Sequence, residues 1–220
     1  MLPATIIPLS DGSSSVVLRQ KILIAGEACV GKSAIIKMLS QNIYAADYNM
    51  TTEISLSVHT ITLPDSPNTS VEQFIFDLPG NALFHKGKQW LPSLCHDVDV
   101  AIFVCDPYES DQESIRACSR WLEDVKEYNN QKNTKETSIV VVRSKMDVMS
   151  DEKDVMVMNN RVKVVSNNEM SIHAKNEGYE YFECSALLNT GIKEIFSSIA
   201  KRYIDRDERL NEDKRCSEVQ

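Results

Sequence analysis

Hydrophobic and polar positions follow two different periods along the chain, and together they predict strands that alternate with helices. "DVAIFVCD" is a nearly continuous apolar run, typical of a strand buried on both faces of a parallel sheet. "ESDQESIRACSRWLEDVKEY" follows it with apolar residues at helical spacing, namely Ile115, Cys118, Trp121, Leu122 and Val125. This alternating order predicts an α/β fold, a doubly wound and mostly parallel sheet with helices on both faces.

One early pair of strands is predicted to form an antiparallel hairpin. "EISLSVHTITL" alternates at period two, "PDSPNTS" carries the prolines and asparagine of a turn, and "VEQFIFDL" returns. The other predicted strands are "VVLRQKILIA", "DVAIFVCD", "SIVVVRS" and "YEYFECSA". The sequence therefore predicts a six-stranded sheet that contains one antiparallel hairpin strand.

The length of 220 residues suits one well-buried domain with extensions. We expect residues 1–16 to be a flexible N-terminal extension and residues 17–204 to be the domain. Residues 205–220 alternate in charge and are expected to form a solvated tail. Residues 149–160, "MSDEKDVMVMNN", have the composition of a mobile insertion.

Composition and charge disfavour several classes of protein. A net charge of −8 argues against a general surface for nucleic acid or anionic membranes. The six cysteines form no C-x-x-C pair and several lie in apolar runs, which favours reduced thiols in a cytoplasmic protein. Cys216 is fifth from the end, so we expect no prenylation box and no direct lipid anchor.

The stretch "GEACVGKS" has the spacing of a loop that wraps phosphate, and it lies between a predicted strand and a predicted helix. Gly26 and Gly31 allow the backbone to turn its N–H groups towards phosphate oxygens. Lys32 would reach the β- and γ-phosphates, and the Ser33 hydroxyl would bind Mg²⁺. The alternative is a chance glycine-rich turn. The predicted nucleotide-binding residues in this region are Gly26, Glu27, Ala28, Cys29, Val30, Gly31, Lys32, Ser33 and Ala34.

Two later segments could contact the third phosphate of a nucleotide or the metal ion beside it. Thr51, eighteen residues after Ser33, could complete the Mg²⁺ shell, although Thr52 competes for that role. In "DLPG", Asp77 would orient the metal through water, and the Gly80 N–H could meet the γ-phosphate. Together these parts predict a nucleotide switch, in which two loops are held by the third phosphate and released when it leaves.

A pair of motifs can select the base. In "VVVRSKMD", Lys145 and Asp147 have the spacing x-K-x-D, and a carboxylate there can accept hydrogen bonds from N1–H and the exocyclic amine of guanine. A surface lysine and aspartate after a strand is the alternative.

The last two predicted contacts also concern the base. In "CSAL", Ser185, Ala186 and Leu187 form a loop whose backbone N–H can read the guanine O6. Tyr44 either covers the edge of the base or packs in the core.

This ordered set of motifs resembles the Rab branch of the Ras-superfamily small GTPases over residues 17–204. The stretches "MTTEISLSVHTITLPD", "VEQFIFDLPGNALF" and "SRWLEDVK" are similar to the Rab-like small GTPases of intraflagellar transport complex B. The resemblance implies a P-loop small G domain that binds GTP, GDP and Mg²⁺. It also implies a cytoplasmic and ciliary location, and a heterodimer with the small all-β subunit of that complex.

Three positions depart from the family pattern. Asn81 follows Gly80 where the family usually has the glutamine that orients the attacking water, so Asn81 is the candidate catalytic residue. Ala28 occupies a position that is often glycine, and Ser144 replaces the usual asparagine of N-K-x-D. We expect the Ser144 side chain to be too short to connect its own loop to the phosphate loop. The expectation is weakened nucleotide affinity and slow intrinsic hydrolysis.

The leading hypothesis is a regulatory GTPase that binds effectors through residues 44–58 and 78–92 when GTP is bound. Alternatives are a structural scaffold subunit that does not switch, and a divergent vesicle-traffic Rab without prenylation. A small P-loop kinase is disfavoured, because "RSKMD" and "CSAL" would have no use in such an enzyme.

Overall fold

A computed structural model describes residues 4–8, 14–45, 47, 49–80, 91–108, 111–130, 137–149 and 169–218. The strands are β1 Thr5–Pro8, β2 Ser14–Ala25, β3 Ser55–Thr62, β4 Thr69–Asp77, β5 Val100–Cys105, β6 Ser138–Arg143 and β7 Glu180–Glu183. The helices are α1 Lys32–Gln41, α2 Leu91–Cys95, α3 Asp111–Asn130, α4 Glu169–Asn176 and α5 Ile192–Glu218, with a 3₁₀ turn at Met146–Met149.

The described strands form one mixed sheet in the order β3-β4-β2-β5-β6-β7. Strands β4, β2, β5, β6 and β7 are parallel, and β3 pairs antiparallel with β4 from Ser55 opposite Asp77 to Thr62 opposite Ser70. The predicted α/β fold and its hairpin are confirmed. Because the parallel strands all end at one edge of the sheet, the loops that follow them meet there.

The described sheet has seven strands, so the prediction of six was wrong. The additional strand β1 pairs antiparallel with the start of β2, from Thr5 opposite Val17 to Pro8 opposite Ser14. It lies within the segment assigned to an extension. Its four side chains are all exposed, so no buried face imposes an apolar period on the sequence. Pro8 lacks an N–H, and an edge strand such as β1 tolerates proline.

The core has two layers, one on each face of the sheet. On one face, Leu23 and Phe103 pack with α3, whose Trp121 is buried as its helical spacing predicted. On the other face, Ile22 and Ile24 pack against α1 and α5. Alternate residues of β2 therefore supply opposite layers, which is the arrangement of a central strand covered on both faces.

Helix α5 is fixed to the sheet by two buried glutamines. Gln73 Nε2 donates to Gln20 Oε1 and to the Phe196 carbonyl oxygen, both at 3.1 Å. The helix then continues through the predicted tail to Glu218. None of the described helices is long and apolar enough to cross a membrane. Residues 150–160 of the predicted insertion lie outside the described residues.

Candidate nucleotide-binding site

The predicted phosphate loop connects the end of β2 to the start of α1, and its backbone turns through left-handed conformations. Gly26, Cys29 and Gly31 have φ values of 140°, 67° and 100°. A Cβ atom on Gly26 would lie 2.2 Å from the carbonyl oxygen of Val104, so the loop is packed directly on β5. Glycine is required at this position both for its φ and for space.

Lys32 begins α1 with its side chain turned back into the loop. It is only 5% exposed, and its Nζ donates to the carbonyl oxygens of Gly26 at 3.0 Å and Glu27 at 2.7 Å. Burial lowers the pKa of the Lys32 ammonium, while the charges of Asp77, Glu27 and Cys29 oppose that shift. The loop therefore holds a cation on the inner side of its turn, where a phosphate group would need one.

Three oxygen-bearing side chains converge beside Lys32. Ser33 Oγ lies 2.8 Å from Thr51 Oγ1 and donates to Asp77 Oδ2 at 2.5 Å. Thr51, and not Thr52, therefore supplies the hydroxyl at this point. Burial raises the pKa of Asp77, opposed by the hydrogen bond from Ser33 and by the charges of Lys32 and Lys37.

This cluster fits Mg²⁺. The second carboxylate oxygen of Asp77 is buried and has no hydrogen-bond partner among the described residues. A buried carboxylate with a spare oxygen, next to two hydroxyls, is a set of hard oxygen donors such as Mg²⁺ prefers.

A cavity of about 560 Å³ lies in front of these groups. Its lining includes the predicted residues Ala28, Cys29, Gly31, Lys32, Ser33, Ala34, Tyr44, Thr51, Gly80 and Lys145. Gly80 comes so close to the phosphate loop that a Cβ on it would lie 2.6 Å from Ala28 Cα. Tyr44 is exposed at the cavity and is not a core residue.

Five lining residues were not predicted from the sequence: Lys37, Ala45, Asp47, Asn49 and Met50. Lys37 could have been found, because it is four residues after Ser33 in α1 and therefore lies on the same face of the helix. The others belong to an irregular segment for which the hydrophobic pattern gives no side-chain direction.

Ser144 connects the loop after β6 to the phosphate loop. Its hydroxyl contacts the carbonyl oxygen of Val30 and lies 3.1 Å from that of Cys105, while its backbone N–H donates to Cys105 at 2.8 Å. The expectation that serine is too short for this connection was wrong. Gly31 has no side chain, and a Cβ atom on it would lie 3.6 Å from Ser144 Oγ. Because the two loops come this close to each other, the short serine side chain reaches the phosphate loop.

The two predicted base-reading motifs contact each other. The Asp147 carboxylate in the 3₁₀ turn accepts a hydrogen bond from Ser185 Oγ at 2.5 Å, and Ser185 Oγ accepts one from the Leu188 N–H at 3.1 Å. Met146 N–H also donates to the Cys184 carbonyl oxygen at 3.1 Å. These contacts hold Asp147 against the "CSAL" loop.

The remaining predicted residues are placed as follows. Ala186 is buried beside Ser185, and Leu187 is exposed. Asp147, Ser185, Ala186 and Leu187 do not line the cavity described above. Asn81 lies outside the described residues.

Comparison with known sequences places this geometry in a family. The profile of the Ras family matches residues 21–205, which is most of the chain. The chain belongs to the Ras family. It is 28% identical to the intraflagellar transport protein 27 homolog of Mus musculus over 188 residues, 84% of this chain and 90% of the mouse protein.

Two further relatives extend the comparison. Intraflagellar transport protein 27 of Chlamydomonas reinhardtii is 37% identical over 108 residues, 48% of this chain and 50% of that protein. This chain thus spans about half the length of the algal relative. Ras-related protein RabC of Dictyostelium discoideum is 26% identical over 181 residues, 82% of each chain.

Within this Ras-family domain, several parts of the site lie at or directly after the end of a strand, whereas Tyr44 and Thr51 lie between α1 and β3. The phosphate loop follows β2, Asp77 ends β4, and the Ser144 loop and Ser185 follow β6 and β7. The loop after β5 contributes Asp106, which was not predicted and which pairs with Lys145 at 2.7 Å. The only available signal for Asp106 was its position directly after a buried strand.

Proposed function

We propose that this chain is a regulatory small GTPase that binds GTP and GDP, hydrolyses GTP slowly, and serves in intraflagellar transport. The single observation that carries this proposal is the convergence of Lys32, Ser33, Thr51, Gly80 and Lys145 on one cavity. These residues come from four separate parts of the chain. A ligand that extends from the phosphate loop to the loop after β6 would contact all of them.

The phosphates are bound by the loop and its lysine. The left-handed turn at Cys29 and Gly31 would direct backbone N–H groups towards the phosphates, and Lys32 would supply the charge. Ser33 and Thr51 would hold Mg²⁺ through their hydroxyls, with Asp77 acting through water. When bound, Mg²⁺ neutralises charge on the β- and γ-phosphates.

Guanine is selected at Asp147. Its carboxylate accepts from the N1–H and exocyclic N–H of guanine, whereas adenine does not offer this pair of donors. The hydrogen bond from Ser185 fixes the carboxylate in the 3₁₀ turn, so the carboxylate does not have to be ordered when the base binds.

Switching would arise where Thr51 and Gly80 meet the third phosphate. Effectors are proposed to bind residues 44–58 and 78–92 in the GTP state. In support, the edge strand β3 exposes Leu56 and Val58 within the first of these segments. Exposed apolar side chains on an edge strand are a common feature of binding surfaces.

Slow hydrolysis follows from Asn81. A glutamine in this position would orient the attacking water, and asparagine is one methylene shorter. Misplacing a reacting group by about 1 Å can cost on the order of a hundredfold in rate. An arginine supplied by a partner can restore about 10³–10⁵, so hydrolysis on a partner is compatible with this proposal.

The proposed cellular role rests on the relatives. The mouse and algal proteins are named as intraflagellar transport proteins, so we propose the cytoplasm and cilium as location. The proposed partners are a small all-β subunit in a heterodimer and, through it, complex B. The RabC match favours a second candidate, a Rab-type GTPase of vesicle traffic.

Native mass spectrometry of the freshly purified chain, with and without added Mg²⁺ and GTP or GDP, tests the binding proposal. We expect one guanine nucleotide per chain, lost in Lys32→Met and retained in the surface variant Lys201→Met. A chain that stays empty after soaking in guanine nucleotide and Mg²⁺ contradicts the proposal. Equal affinity of the GDP and GTP-analogue forms for the all-β subunit would instead identify a scaffold that does not switch.

A further inference from the structure

Asp106 is a buried carboxylate to which the proposed function above assigns no role. It follows β5 directly and is 7% exposed. Its Oδ2 atom lies 2.7 Å from Lys145 Nζ, and its Oδ1 atom accepts from the Tyr108 N–H at 3.1 Å. Both oxygens are thus bound, so the carboxylate is fixed before any ligand is present.

Lys145 is the group that this carboxylate orients. It is in the left-handed backbone region with a φ of 57°, which is unfavourable for a residue with a side chain. Its Nζ lies 5.3 Å from the centre of the Tyr108 ring, and the residue lines the cavity beside the phosphate loop. A lysine has several rotatable bonds, and without an anchor it would be ordered at an entropic cost when a ligand binds.

The position of Lys145 in the chain makes its orientation relevant to the base. It stands between Ser144, which contacts the phosphate loop, and the 3₁₀ turn that carries Asp147. We call residues 144–147 the base loop. Ser144 holds this loop to the phosphate loop, and Asp106 holds it from β5.

We propose that Asp106 is a positioning residue, which acts through Lys145 to hold the base loop in its nucleotide-retaining geometry. This inference rests on the proposed binding of guanine nucleotide. Since Asp106 acts at the base end, its loss should accelerate release of GDP and of a GTP analogue by the same factor. Chelating Mg²⁺ should accelerate nucleotide release by the same factor in the Asp106 variant as in the unaltered protein.

A purely structural role makes a different prediction. If the Asp106–Lys145 pair only stabilised the fold, its removal would lower the melting temperature without a specific effect on nucleotide release. Asp99 provides a matched control, because it stands at the opposite end of β5. Asp99 is also buried, at 4% exposed, and it lies 3.4 Å from the guanidinium of Arg206.

The experiment measures the dissociation rate of a fluorescent GDP analogue, displaced by excess GDP, in a double-mutant cycle. We expect Asp106→Asn and Lys145→Met each to accelerate release about tenfold, the effect of losing one hydrogen bond to a charged group. The double variant should match Lys145→Met within about twofold, because Asp106 would then have nothing to orient. Asp99→Asn should leave release unchanged.

Asp106→Ser guards against a variant that fails to fold. Its hydroxyl can still accept from the Tyr108 N–H, but it cannot pair with Lys145. Unchanged release in both Asp106 variants, or effects of Asp106→Asn and Lys145→Met that multiply in the double variant, would overturn the inference while the binding proposal stands. A parent protein that holds no guanine nucleotide would overturn both.

Discussion

The hydroxyl of Ser144 contacts the backbone carbonyl oxygen of Val30, and this contact joins the base loop to the phosphate loop. Ser144 is only 2% exposed, so water does not compete for this hydrogen bond. Its loss would leave a buried carbonyl without this donor. The connection also means that serine at this position gives no reason to expect weak nucleotide binding.

We therefore predict that Ser144→Ala accelerates GDP release roughly five- to tenfold, the effect of losing one buried neutral hydrogen bond. The measurement is displacement of a fluorescent GDP analogue, with bound Mg²⁺ held constant. Ser40→Ala is the matched control, since Ser40 also donates to a backbone carbonyl, that of Ile36, but within α1. Equal release from Ser144→Ala and the parent protein would show that the contact does not hold the nucleotide.

Asp147→Asn should change the base that the protein prefers. The amide can keep the hydrogen bond from Ser185 through its oxygen, but it presents N–H donors where the carboxylate presented an acceptor. Guanine then meets a donor opposite its own donors, whereas xanthine offers a carbonyl oxygen at C2. We expect affinity for GDP to fall on the order of 100-fold and that for xanthosine diphosphate to rise. Competition binding with both nucleotides measures this, and an unchanged preference for GDP would assign base selection elsewhere.

Much of this architecture was predictable because burial leaves a period in the sequence. The hairpin, the buried strands and the phosphate-loop spacing each have a local pattern that one segment carries alone. Strand β1 has no such pattern, because its side chains are exposed and its pairing partner is the only reason for its conformation.

The contacts that join separate segments were not predictable in the same way. Asp106 and Lys145 are 39 positions apart and meet only because β5 and β6 are neighbours in register. Ser144 reaches Val30 because Gly31 leaves space there, which is a property of the folded arrangement and not of either motif. Residue types and spacing predict which groups a site contains, while the approach of two loops decides how far a side chain must reach.

Asn81→Gln tests the explanation of slow hydrolysis. If asparagine is too short to orient the attacking water, glutamine should raise the single-turnover rate of GTP hydrolysis by up to about a hundredfold. Asn68→Gln, in the turn between β3 and β4, adds the same methylene away from the cavity and should have no effect. A rate that stays the same in Asn81→Gln would mean that another feature limits hydrolysis.

The buried Asp99 should make stability depend on pH in a way that one substitution removes. Burial raises the pKa of Asp99 from 3.8 to about 6, although the N–H of Lys21 and the charge of Arg206 favour its ionised form. A carboxyl group whose pKa is higher in the folded state stabilises the fold at low pH, and this contribution is lost as pH rises from about 4 to 6.

Asp99→Asn cannot titrate. The difference in unfolding free energy, parent minus variant, should therefore fall between pH 4 and 6 and stay level from pH 7 to 8. Urea denaturation of both proteins across this range measures that difference, in which the other carboxyl groups cancel. A difference that instead rises with pH would show that the ion pair with Arg206 outweighs the burial of Asp99.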